Sequence, residues 1–215
     1  MIEKMQNNIL IHQGDLPDDV SFTGCVAIDT EAMGLVHARD RLCVVQLFSG
    51  KDSDPVHLIQ IPNTKNHQAP NLVKLLINKH ITKIFHYARF DVSILMYTFN
   101  IEVDNIFCTK IASRLCRTYT GKHSLKDLCK DFLGVELSKE EQTSDWGSEN
   151  LTELQQLYAA KDVLYLHKIK NALQLMLERE NRVATVQACF DFLPTRVTLD
   201  HLAGEQFDIF SHKST

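Results

Sequence analysis

No apolar run in the chain approaches the ~20 residues that span a bilayer, and the polar, mixed stretch Met1–Gly14 carries no leader pattern. A membrane span and a secretory leader are not expected; a cytoplasmic protein is. No C-x-x-C pair occurs among Cys25, Cys43, Cys108, Cys116, Cys129 and Cys189. Zinc and disulfide frameworks are therefore not expected, and cysteines set inside apolar patterns read as buried free thiols. An excess of basic charge is also missing: 23 Lys and Arg stand against 27 Asp and Glu, a formal net charge of −4. That excludes a long electrostatic track for a polyanion, so phosphate contact must come from a local patch or from bound metal. Repeats, low-complexity segments and linkers are absent. The 215 residues, 44% of them hydrophobic, suit one domain over 1–215 with a sizeable core. Residues 1–24 read as a lead-in and 194–215 as a C-terminal tail.

What is present is ordered. Cys25–Thr30, Leu42–Phe48 and Val56–Ile61 are apolar, β-rich runs with short connections, which predicts three antiparallel strands. The pattern then changes to alternating helices and strands: helix over Ala69–Lys79, strand Thr82–His86, helix Arg89–Phe99, strand Asn105–Cys108, helix Thr109–Arg117. Ser124 with Asp127 resembles a capping box, and Gly134 closes that helix. Asn150 with Glu153 offers a similar start for a long helix toward Glu180, in which a break or kink is expected. Val183–Leu193 reads as a final helix stopped by Pro194. The fold class is α/β, a mixed sheet flanked by helices on both faces.

Acidic residues punctuate this frame. Asp29 and Glu31 leave the first strand at positions i and i+2, so both point to one side. Two close carboxylates repel unless a cation sits between them, and hard oxygen ligands suit Mg²⁺ or Mn²⁺. Asp91 falls in the first turn of a helix. Leu154, Tyr158, Asp162, Tyr165, Ile169, Leu173 and Met176 recur at spacings of three and four, which places Asp162 on an otherwise apolar or aromatic stripe. A buried carboxylate there needs a partner, a proton or a metal, and Tyr158 lies one turn away on the same face. Taken singly, each acid also fits a turn, a helix-dipole partner or a side chain bonded to nearby backbone.

The set, taken in order, resembles the DEDD superfamily of 3′–5′ exonucleases in its tyrosine branch (DEDDy), which includes ribonuclease D. The histidine branch would place His five residues before the last Asp, where this chain has Leu157. Further stretches, His37–Gln46, Ile81–His86, Phe107–Ser113, Ser144–Trp146 and Phe192–Arg196, are similar to the small bacterial nano-RNases of the NrnC type, from about Asp15 to Ser211. Tyr87 stands where broader ribonuclease D relatives often have Asn. The resemblance implies a ribonuclease-H-like fold and catalytic residues Asp29, Glu31, Asp91, Tyr158 and Asp162. It also implies two divalent cations, Mg²⁺ or Mn²⁺. Asp29, Glu31 and Asp162 would hold the first, Asp29 would bridge to the second with Asp91 in support, and Tyr158 would orient the attacking water. The implied substrate is short RNA, down to dinucleotides, with DNA 3′ ends as a further option, cut to 5′-mononucleotides. The implied assembly is a ring-shaped homo-oligomer, an octamer. Phe192–Pro194 and Phe207–Phe210 are candidate contacts for it, or else pack on their own subunit.

Substrate contacts are expected from Met33 and Leu35, one of which could wedge against a base, and from His86 and Arg89, which flank Asp91. Thr109–Lys126 has no acid and five basic residues. Lys110, Arg114 and Arg117 follow at spacings of four and three, with Lys122 and His123 in the loop beyond, a phosphate strip or a solvated face. Trp146 could stack on a base, with a structural role as the simpler reading. The competing functions are trimming of longer RNA 3′ ends in the manner of ribonuclease D, and a catalytically silent nucleic-acid-binding module.

Overall fold

The apolar runs meet in a six-stranded mixed sheet of order β1-β4-β3-β2-β5-β6. The strands are β1 (Ile9–Gln13), β2 (Cys25–Ala32), β3 (Leu42–Phe48), β4 (Val56–Gln60), β5 (Thr82–Phe85) and β6 (Ile106–Cys108). The structure, a computed structural model, describes residues 8–36, 39–64, 67–137, 144–204, 209 and 212. As predicted, β2, β3 and β4 form an antiparallel meander, and β5 and β6 add in parallel beside β2. The helices are α1 (Pro70–Leu76), α2 (Ala88–Phe99), α3 (Thr109–Cys116), α4 (Leu125–Leu133), α5 (Glu153–Leu164), α6 (Leu166–Arg179) and α7 (Val183–Ala203). No described helix is long and apolar enough to cross a membrane.

β3 and β4 are buried along their whole length, as continuous apolar strands covered on both faces should be. Val26, Ala27, Ile28, Val44, Val45, Leu47 and Leu58 form the centre of the core, all without exposed area. The cysteines are free; Cys43, Cys108, Cys116 and Cys129 are buried.

The lead-in is not structureless. Ile9–Gln13 pairs in parallel with β4 over its whole length. It is a short edge strand whose apolar Leu10 and Ile11 stay exposed; its order comes from ladder bonds to β4, which its own pattern does not announce. At the fourth helix the predicted box is present: Ser124 Oγ accepts from the Asp127 N–H, and Gly134 takes the left-handed C-cap. The next start is corrected from Asn150 to Thr152, whose side chain accepts from the Gln155 N–H while Gln155 caps Thr152 in return. Leu151 is buried, so the chain dips into the core before the helix begins. The long helix does break, at Tyr165, which ends α5 and opens α6. Before the break the proposed stripe is not the core face: Leu154 is 63% exposed, and the buried residues of α5 are Gln155, Leu157, Ala159, Ala160 and Val163; beyond it Ile169 and Leu173 are buried as the stripe expects.

Pro194 does not stop the last helix. α7 runs through it to Ala203, although proline there removes a ladder donor. The following turns are held from outside: Val197 is buried, Thr198 Oγ1 donates to the Pro194 carbonyl at 3.0 Å, and Asp200 is clamped by Arg89 and Arg196. Much of the expected tail is thus helix packed on α2. Phe207 and Phe210 lie outside the described residues.

Candidate active site

Strand alternation builds the first half of the site. Asp29 and Glu31 point to the side covered by α5, while Thr30 between them points away and its hydroxyl donates to Asp91 Oδ1 at 2.7 Å. The β2–β3 register shifts between Glu31 and Ala32, an irregularity of the kind that re-aims side chains at strand ends. α5 brings Asp162 over the strand end. Asp29, Glu31 and Asp162 each offer a carboxylate oxygen, and the three atoms lie within 4.8 Å of one another. Asp91 enters from the first turn of α2 and is 3% exposed. With Tyr158 these acids line a cleft of about 700 Å³.

The electrostatics are lopsided. Burial, then the charges of Asp91, Asp162 and Glu31, pushes the Asp29 carboxyl well above its usual range, against one hydrogen bond from the Thr30 backbone. Glu31 is pushed up to about 9, by burial and then by Asp162 and Asp91. Asp91 and Asp162 rise to about 7, mainly through burial; the Thr30 hydroxyl opposes the shift at Asp91 and the Tyr158 hydroxyl opposes it at Asp162. Tyr158 is itself shifted upward by burial and by Asp162, so its phenol keeps its proton. Four acids gathered with so little compensating positive charge fit a divalent cation bound by hard oxygen ligands.

The expected substrate residues divide. Met33 and Leu35 line the cleft and are 51% and 74% exposed, so neither is core packing. Their loop turns at Gly34, where a side chain would collide with the Asp40 carboxylate; Asp40 is fixed by Arg39 and by the Val36 N–H. His86 lines the cleft as a neutral ring: burial lowers its pKa to about 3. Thr109 donates its proton to the Phe85 carbonyl and so accepts from His86 Nδ1, at 2.9 Å, which leaves Nε2 as an acceptor unsuited to a phosphate oxygen. Lys110 lines the cleft with its ammonium 4.3 Å from the centre of the Tyr87 ring. The others lie off the cleft. Arg89 is bonded through two nitrogens to Asp200. Arg117 is buried, bonded to Asp131 and to the Lys122 carbonyl. It caps α3 and does not continue the face of Lys110, while Arg114 and Lys122 are exposed elsewhere. His123 bonds Ser113. The basic strip therefore reduces at the cleft to Lys110, joined by Lys126.

Sequence reasoning passed over Thr30, Tyr87, Phe90 and Lys126 as cleft residues. Thr30 was open to the same alternation argument that found its neighbours. Tyr87 was not: it caps α2 in the left-handed region, φ 66°, a conformation a tyrosine does not announce. Trp146 is 3% exposed and lies 6.0 Å from the Tyr158 ring, a packing role and not an open stacking platform.

Residues 10–178 match the 3′–5′ exonuclease family. The ribonuclease D of Bartonella henselae is 31% identical over 73% of this chain and 37% of its own length. That of Gluconacetobacter diazotrophicus is 33% identical over 74% and 39%. The chain thus spans about two fifths of the curated relatives it matches. Among solved structures, NrnC of Brucella melitensis bound to pGG is 48% identical, with a TM-score of 0.89 over 96% of this chain and 99% of that one. The same protein has been solved with bound Mg²⁺. Escherichia coli ribonuclease D has a TM-score of 0.70 at 25% identity, over 81% of this chain and 45% of its own.

Proposed function

This chain belongs to the 3′–5′ exonuclease family, in its DEDDy branch, as a metal-dependent exonuclease, and we propose that it degrades short oligoribonucleotides, down to dinucleotides, to 5′-mononucleotides. The observation that carries the reading is the group of Asp29, Glu31 and Asp162 within 4.8 Å, lining a cleft whose described basic residues are few.

Asp29, Glu31 and Asp162 would hold Mg²⁺ or Mn²⁺, with Asp91 in support, and a cation held there would supply neutralisation of charge on the scissile phosphate and a lowered pKa for bound water. The chain's own residues do the rest. Tyr158, protonated and bonded to Asp162, orients the attacking water in line with the leaving 3′-oxygen. Met33 and Leu35 part the last two bases. Lys110 and Lys126, which also line the cleft, meet the next phosphate. The pGG ligand of the Brucella protein supports a substrate of this size. We also propose that the protein is cytoplasmic, that this chain folds as one domain, and that it assembles as a symmetric homo-oligomer.

A second reading is ribonuclease-D-like trimming of longer RNA 3′ ends, which the names of the sequence relatives favour. The deciding experiment is metal-dependent mononucleotide release from a 5′-labelled dinucleotide and from a ~20-nucleotide RNA. Faster turnover of the dinucleotide is expected; the reverse favours trimming, and no release from either removes the enzyme reading.

A further inference from the structure

Gln46 is buried without exposed area in the middle of β3, and both ends of its side-chain amide lack a hydrogen-bond partner. A buried, unsatisfied amide is expensive, and an idle donor is rarer than an idle carbonyl. Its place in the sheet gives it a use. In the β2–β3 register Gln46 stands directly opposite Asp29. Directly opposed residues share one face with Cβ atoms about 4.5–5.5 Å apart, so the Gln46 amide lies within a side-chain rotation of the Asp29 carboxylate. Asp29 has the opposite deficiency: it is crowded by three acids, with one opposing hydrogen bond from the Thr30 backbone. A carboxylate that ligates a cation is ordinarily held in orientation by a donor behind it.

We infer that Gln46 is a positioning residue, whose Nε2 donates to the Asp29 carboxylate when a divalent cation occupies the cleft. This rests on the proposed metal site. Gln46 touches neither substrate nor water in the reaction; it fixes which Asp29 oxygen faces the cation and keeps the other hydrogen-bonded.

The test is calorimetric titration of Mn²⁺ into the wild type and into Gln46→Met, a swap that conserves volume and removes the amide. The expected result is a Kd raised about 10- to 100-fold, an unchanged or higher melting temperature without metal, and a lower kcat with KM little altered. A purely structural glutamine would leave the Mn²⁺ Kd at the wild-type value, and that result overturns the inference. A wild type that binds no Mn²⁺ removes the metal site itself, a distinct failure. Should Gln46→Met not fold, the wild type still answers: the assigned Gln46 side-chain amide resonance is expected to move downfield on Mg²⁺ addition. A resonance that stays put while those of β2 move refutes the assignment.

Discussion

Asp162 and Asp200 are both aspartates enclosed on helices, and the protein treats them in opposite ways. Asp200, its side chain 1% exposed, accepts two bonds from Arg89 at 2.7 and 2.8 Å and a third from Arg196 at 2.8 Å. Asp162 has the Tyr158 hydroxyl beside it and shares oxygens within 4.8 Å with Asp29 and Glu31. Burial of a charge is tolerated where the chain supplies the opposite charge; where it does not, a proton or an ion must. The first arrangement holds structure together and the second leaves a vacancy in charge that chemistry can use. The two are also joined. Arg89 lies two residues before Asp91 on α2, so the clamp on Asp200 steadies the helix that carries a cleft acid. α7, which brings Asp200, lies beyond residues 10–178 that match the family.

The largest expected break is Asp29→Asn. Removing a shared ligand forfeits several kcal/mol of transition-state stabilisation, a loss of about 10³-fold or more in kcat. Asp200→Asn leaves the cleft acids in place and should retain measurable turnover. Near-normal rates in Asp29→Asn at saturating Mn²⁺ would dissolve the distinction between the two kinds of aspartate. Next in size is Tyr158→Phe, which keeps the ring against Trp146 but loses the hydroxyl at Asp162; a fall of about 10²-fold in kcat with KM little changed is expected. A rise in KM alone would make Tyr158 a packing residue.

Stability should separate the aspartates with opposite signs. Asp200→Asn weakens a buried pair, at a cost of about 3 kcal/mol, or a melting temperature lower by roughly 6–12 °C for a chain of this size. Asp162→Asn in metal-free protein at pH 8 should raise it instead, since a repelled charge is removed. The pH dependence follows the same logic. Asp91 and Asp162 titrate at about 7 and Glu31 at about 9 in the fold, against ordinary values of 3.8 and 4.5. The fold therefore binds more protons than the unfolded chain across that window, and the stability these groups contribute is full at low pH and lost as pH rises through the folded values. Thermal melts in EDTA from pH 5 to 9, expected to fall, and in Mn²⁺, expected to fall less, check this. A flat EDTA profile would mean that the acids are less crowded than the geometry implies.

Much of this was readable in the sequence. Asp29 and Glu31 follow from a two-residue period, and Tyr158 and Asp162 from helical spacing, so local rules reach them. The resemblance to DEDDy exonucleases added Asp91. What local rules miss is partnership at a distance. Arg89 and Asp200 are 111 residues apart, and nothing around Arg89 distinguishes a clamp from a phosphate contact. Arg117 reads as part of a basic face because three-and-four spacing assumes a helix that in fact ends at Cys116. Ile9–Gln13 escaped because an edge strand is specified by its partner, and α7 continues past Pro194 because of tertiary clamps.

The smallest effect concerns the cations, where the same contrast recurs. Arg89, Arg117 and Arg196 are engaged with carboxylates, whereas Lys110 reaches the cleft over the Tyr87 ring. Arg114 stands one turn further along α3, exposed and away from the cleft. If a substrate phosphate lies against Lys110, Lys110→Glu should raise KM and lower the salt slope of binding by about one. Arg114→Glu should change neither beyond the general field of one surface charge, which is screened within about 10 Å at 0.1 M salt. The comparison is internal to one helix and independent of the metal ligands, and equilibrium binding of a dinucleotide in Ca²⁺ across a salt series reads it without turnover. A larger loss at Arg114 than at Lys110 would restore the outer face of α3 as the phosphate path and argue for a longer RNA than the cleft alone accommodates.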